Sequence, residues 1–90
     1  MLTRKYIVFG TVQGVGYRNF VLKVANKLGI SGTVKNLFDG SVEIFAKGRS
    51  EDIFNFEERI ERGSFFSEVT NFEKEDLPPD IQFSGFKIVF

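Results

Sequence analysis

Ninety residues, 42% of them hydrophobic and twelve of them phenylalanine, suffice for one domain with a dense core. Twelve basic and twelve acidic side chains cancel, so no overall positive field exists to gather nucleic acid or an anionic membrane. Cysteine and histidine are both absent, which excludes disulfides, a thiolate nucleophile, an imidazole base and the usual His/Cys zinc sites.

The opening Met1-Leu2-Thr3-Arg4-Lys5 carries no apolar leader, and no stretch approaches membrane-spanning length. The expectation is a soluble, cytoplasmic protein. Residues 5–12 are rich in β-branched and aromatic types (Tyr6, Ile7, Val8, Phe9, Val12) and predict a buried strand. A glycine-bearing segment follows, Gln13-Gly14-Val15-Gly16-Tyr17-Arg18. From Asn19 the period becomes helical: Phe20, Val21, Val24, Ala25 and Leu28 share one face, Lys23 and Lys27 the other, and Gly29 supplies the stop.

Residues 31–38 predict a second strand and residues 41–47 a third, in which Val42, Ile44 and Ala46 alternate with Glu43, Phe45 and Lys47. Asp39-Gly40 between them is a hairpin signal. Ser50 suits an N-cap, and Glu51 and Asp52 place negative charge where the helix dipole favours it. Ile53, Phe56 and Ile60 line a helical face, with Phe54 beside them, and Gly63 ends the helix. Residues 65–73 predict a strand with Val69 as its core residue, residues 75–84 a loop containing Pro78-Pro79, and residues 85–90 a short last strand. Glu57-Glu58 with Glu61 reads as a solvated helix face, Glu73, Glu75, Asp76 and Asp80 as solvated charge, and Phe65-Phe66 as core. The order predicts an α+β, ferredoxin-like βαββαβ domain over residues 1–90. Two helices cover one face of an antiparallel sheet, with an extra short C-terminal strand.

The chemistry concentrates between the first strand and the first helix. Gly14 and Gly16 let the backbone turn sharply and approach a ligand. The amides from Gln13 to Arg18 are placed to converge on an anion, and the helix that follows points its positive end there. Arg18 adds a planar guanidinium able to hold two phosphate oxygens. The familiar nucleotide motifs do not fit: position 19 is asparagine where a dinucleotide fingerprint needs glycine, and no Gly-Lys-Ser/Thr is present. Read locally, a tight turn with a surface arginine remains open beside the phosphate reading.

The run Val12-Gln13-Gly14-Val15-Gly16-Tyr17-Arg18 resembles the signature loop of the acylphosphatase family. The resemblance continues through Gly32-x-Val34-x-Asn36, Asp39-Gly40-Ser41-Val42-Glu43 and Gly48, similar to the family's second motif. It implies hydrolysis of acyl phosphates, with inorganic phosphate as product and competitor. It further implies Arg18 as the phosphate-binding arginine, Asn36 as the residue that positions the attacking water, and the amides of Val15, Gly16, Tyr17 and Arg18, with Gln13 and Gly14, as the phosphate cradle. No cofactor, metal, nucleic acid or membrane partner is expected, and the chain is expected to be a monomer. Tyr17, Thr33 and Ser64-Phe65 depart from the family pattern, in packing positions. The alternative is a catalytically weak phosphate- or acyl-phosphate-binding module of the same fold.

Overall fold

The computed structural model describes all 90 residues. The elements are β1 (Leu2–Thr11), α1 (Tyr17–Leu28), β2 (Ser31–Asn36), β3 (Val42–Gly48), α2 (Ser50–Arg62), β4 (Glu68–Leu77) and β5 (Phe86–Val89). They form one five-stranded sheet in the order β4-β1-β3-β2-β5. β1, β2, β3 and β4 pair antiparallel. β5 pairs parallel to β2, with Val34 opposite Ile88 and Lys35 opposite Val89, so the sheet is mixed.

The period-two pattern decides the faces. Tyr6, Val8, Val34, Val42, Ile44 and Ala46 are buried on one side. Val21, Val24 and Ala25 of α1 and Ile53, Phe56 and Ile60 of α2 close over them, as the helical periods predict. Full burial of each valine, isoleucine or phenylalanine among them is worth about 1.5–3 kcal/mol before chain entropy is deducted.

β1 starts three residues before its predicted edge, and α1 begins at Tyr17 rather than at Asn19. The turn between β2 and β3 is longer than a two-residue hairpin. Asn36 and Val42 are the last pair, and Leu37 N–H donates to Ser41 O at 2.9 Å across the intervening turn. Asp39 holds that turn by accepting from Ser41 N–H at 2.9 Å and from the Ser41 hydroxyl. These bonds draw the Asp39 carboxyl below the ordinary carboxylate range.

Three expectations are corrected. Phe65 and Phe66 are 92% and 74% exposed, because they sit in the turn before β4, where Ser64 N–H donates to Ser67 Oγ and both rings point outward. β4 runs on to Leu77, since Glu75 and Leu77 pair with Lys5 and Thr3 and the acidic residues face solvent from an edge strand. Glu57 is not on a free face. It accepts from Arg4 at 2.9 Å, Tyr6 at 3.1 Å and Lys74 at 2.8 Å, and its side chain is 15% exposed.

Residues 78–85 must travel from one edge of the sheet to the other, because β4 and β5 are its two outer strands. They do so across the face opposite the helices. There Lys47 Nζ donates to the carbonyls of Pro79 at 2.8 Å and Ile81 at 2.9 Å, and the Phe83 ring lies 6.4 Å from that of Phe45.

Candidate active site

The loop leaving β1 delivers its chain into α1 through Gly16, the N-cap, at φ 79° and ψ 15°. Gly14 also has a positive φ, 74°. An L side chain is strained in this region, so two glycines this close let the loop curl back on itself. Phe20 N–H donates to Gly16 O at 3.1 Å, which opens the helix. The amides of Tyr17, Arg18 and Asn19 lie ahead of that bond and have no helical acceptor. Together with the dipole of α1 they make a local positive end.

Tyr17 turns its ring inward. It is buried, and its hydroxyl donates to Ile60 O at 2.7 Å. Ile60 O is among the last four carbonyls of α2, which lack partners inside their own helix. The extra hydroxyl therefore closes a helix end and ties α1 to α2. Burial pushes the Tyr17 phenol well above its ordinary value, so it stays a neutral donor.

Arg18 points the other way. With Val12, Gly14, Gly16, Tyr17, Asn19, Ile88 and Phe90 it borders a cavity of about 300 Å³. Arg18 enters none of the chain's ion pairs. Its guanidinium carbon lies 5.1 Å from the centre of the Phe90 ring.

Asn36 ends β2 and borders a neighbouring cavity of about 500 Å³ with Gln13, Lys35, Leu37, Phe38 and Phe90. Its Oδ1 is buried and has no hydrogen-bond partner. An orphaned buried acceptor is uncommon enough to ask for a function. Gln13 fixes the loop beside Asn36: its Nε2 donates to Leu37 O and Ser41 O, each at 2.8 Å. Both donors of its side-chain amide are thus spent on the β2–β3 turn.

The predicted residues accordingly fall into two adjoining hollows. Gly14, Gly16, Tyr17 and Arg18 border the first, Gln13 and Asn36 the second, and Val15 neither, since its side chain packs partly on the core. Sequence reasoning missed Ile88 and Phe90, which it read only as strand. The signal was a terminal aromatic that the core does not require, but nothing local ties it to Arg18.

The chain resembles known proteins over its whole length. A family model described as Acylphosphatase matches residues 4–88. The protein named acylphosphatase from Actinobacillus succinogenes is 43% identical, covering 98% of both chains. The crystal structure of acylphosphatase from Bacillus subtilis matches with a TM-score of 0.96 at 41% identity, both chains covered in full. The structure of an acylphosphatase from Coxiella burnetii matches at 0.91 and 33% identity, covering 98% of this chain and 92% of that one.

Proposed function

The chain belongs to the acylphosphatase family, and we propose that it hydrolyses acyl phosphates to a carboxylate and inorganic phosphate by direct attack of a water on phosphorus. The observation that supports this reading is the placing of three groups along two adjoining hollows. An ion-pair-free Arg18 and the acceptor-less amides of Tyr17 to Asn19 share one hollow, and the orphaned Oδ1 of Asn36 stands beside the next.

The substrate's phosphoryl oxygens take the amides of the loop and the edge of the Arg18 guanidinium. Fixed donors of this kind stabilise charge without reorganising as it develops. Asn36 offers a donor and an acceptor on one amide, so it holds a water and leaves a lone pair free to attack. The water oxygen bonds to phosphorus while the bond from phosphorus to the acyl oxygen breaks. That electron pair leaves on the carboxylate, and the proton released by the water passes to a phosphoryl oxygen. A carboxylate leaves readily without protonation, which suits a chain with no histidine. The physiological reaction takes a small-molecule acyl phosphate, and inorganic phosphate competes as the product.

Benzoyl phosphate hydrolysis, followed with and without inorganic phosphate, tests the proposal. Arg18→Ala is expected to lower turnover by about 10²–10³ and to weaken phosphate inhibition. Asn36→Ala is expected to lower turnover while the phosphate inhibition constant stays near that of the parent. Undiminished turnover in Asn36→Ala removes the water-positioning role. Phosphate binding by the parent chain without any turnover favours a binding module instead.

A further inference from the structure

The second hollow is larger than the proposed reaction needs. Its volume of about 500 Å³ exceeds many times the roughly 30 Å³ that one water takes up. The acyl group of the substrate does not fill it either. In-line displacement sets the attacking water and the leaving oxygen on opposite sides of phosphorus. With Asn36 on the side of the water, the acyl group leaves away from Asn36, and so away from the hollow that Asn36 borders.

Two phenylalanines stand at this hollow, Phe38 fully exposed and Phe90 94% exposed. Two such rings at one cavity offer a platform to a flat apolar group. The chain holds Phe38 from both sides. Leu37 N–H donates to Ser41 O at 2.9 Å, Gly40 N–H donates to Leu37 O at 3.2 Å, and Gln13 Nε2 donates to both of those carbonyls. Lys35 is exposed and borders the same hollow, to which it brings positive charge. Glu43, opposite Lys35 in the ladder, is bridged to Lys5 at 3.8 Å. The Asp39 carboxylate beside Phe38 is drawn into its own turn by Ser41.

We propose that the second hollow binds an aromatic carboxylate, and that the filled hollow shuts out the water that Asn36 holds. The ligand's ring lies against Phe38 and Phe90. Its carboxylate meets the Lys35 ammonium, whose aliphatic stem extends the apolar wall. Hydrolysis of an aryl acyl phosphate releases such an acid, so an aromatic product slows its own formation. The phosphate cradle stays open meanwhile, because Arg18 and the loop glycines border the other hollow. The shutting-out of water rests on the role proposed for Asn36; the binding site does not.

Benzoate is the probe and acetyl phosphate the substrate, so that turnover itself makes no benzoate. Benzoate is expected to lower kcat and to leave KM near its original value. In NMR titrations the Phe38 and Lys35 resonances follow one saturating curve, with or without inorganic phosphate. Phe38→Ala raises the benzoate Kd roughly two- to tenfold and Lys35→Gln up to about fivefold, while turnover without benzoate is unchanged in both. Benzamide, flat but uncharged, and cyclohexanecarboxylate, charged but not aromatic, each bind more weakly than benzoate. Competition between benzoate and phosphate overturns the proposal, since it puts the carboxylate in the anion cradle. So does a Kd that Phe38→Ala leaves unchanged, and so does full turnover with benzoate bound. Should the parent fail to hydrolyse acetyl phosphate, the reaction is wrong, and a saturable shift weakened by Phe38→Ala still upholds the site. No shift at Phe38 or Lys35 overturns it.

Discussion

The Tyr17 hydroxyl stands at a position where the sequence departs from the family pattern. The structure supplies Ile60 O, 2.7 Å away in the buried core. Tyr17→Phe leaves that carbonyl sealed from water with nothing to bond, and its volume is nearly unchanged, so no packing gain offsets the loss. A net cost of about 1 kcal/mol is expected, read as a lower urea midpoint at unchanged slope. Gln13 teaches a related lesson. Its backbone belongs to the loop, but its side chain bonds two carbonyls of the β2–β3 turn. No sequence pattern announces a contact that spans so much chain. Gly14 and Gly16 were legible for the opposite reason, since their conformation is a property of the residues themselves.

At the scale of elements, the most laden junction joins β1, α2 and β4 at Glu57. Arg4 bridges it at 2.9 Å and also donates to Asp76 at 2.7 Å, while Lys74 approaches from β4 at 2.8 Å. Desolvation alone would raise the Glu57 carboxyl. The bonds from Lys74 and Tyr6, with the charge of Arg4, outweigh it and hold the group below its ordinary value of 4.5. A folded-state value below the unfolded one means that the native chain binds the proton less tightly. Glu57 therefore contributes its full stabilisation above the ordinary glutamate range and loses it as pH falls through the depressed folded value. Glu57→Gln is expected to cost about 1–2 kcal/mol at neutral pH, discounted for the exposure of Lys74, and to flatten the acid limb of a denaturation-against-pH curve. Tyr6 gains a neutral phenol from burial, and the nearby Glu57 charge reinforces it. Helices and central strands were legible because their periods are long and clean. β4 was legible only as far as Glu73, since the acidic residues beyond it, with little apolar content, imitate a loop. The Phe65-Phe66 doublet misled in the other direction: hydrophobic character states a preference for burial, but the turn at Ser64–Ser67 decides where the side chains point.

Across the whole molecule, the parts of the site come from separate stretches of chain. The loop follows β1, Asn36 closes β2, and Phe90 follows β5. The loop proposed as an anion cradle drew notice from six consecutive residues, Gln13 to Arg18. Asn36 drew notice only through resemblance to a family motif, because a lone polar residue at a strand end has no local signature. Phe90 drew none, since its partner is set by a parallel pairing that the sequence does not display. The order β4-β1-β3-β2-β5 sends residues 78–85 across the outer face, where Lys47 clamps two of their carbonyls. Pro78, Pro79, Asp80, Gln82 and Ser84 are exposed along this crossing. A protease given brief access is expected to nick the chain there first, as mass spectrometry of the digest can check. The last strand would then be a detachable peptide, retained by its β2 ladder, the buried Phe86 and the packing of Ile88 against the core. Fragment complementation follows: the two pieces, mixed after separation, should rebuild a working hydrolase whose activity saturates with peptide concentration.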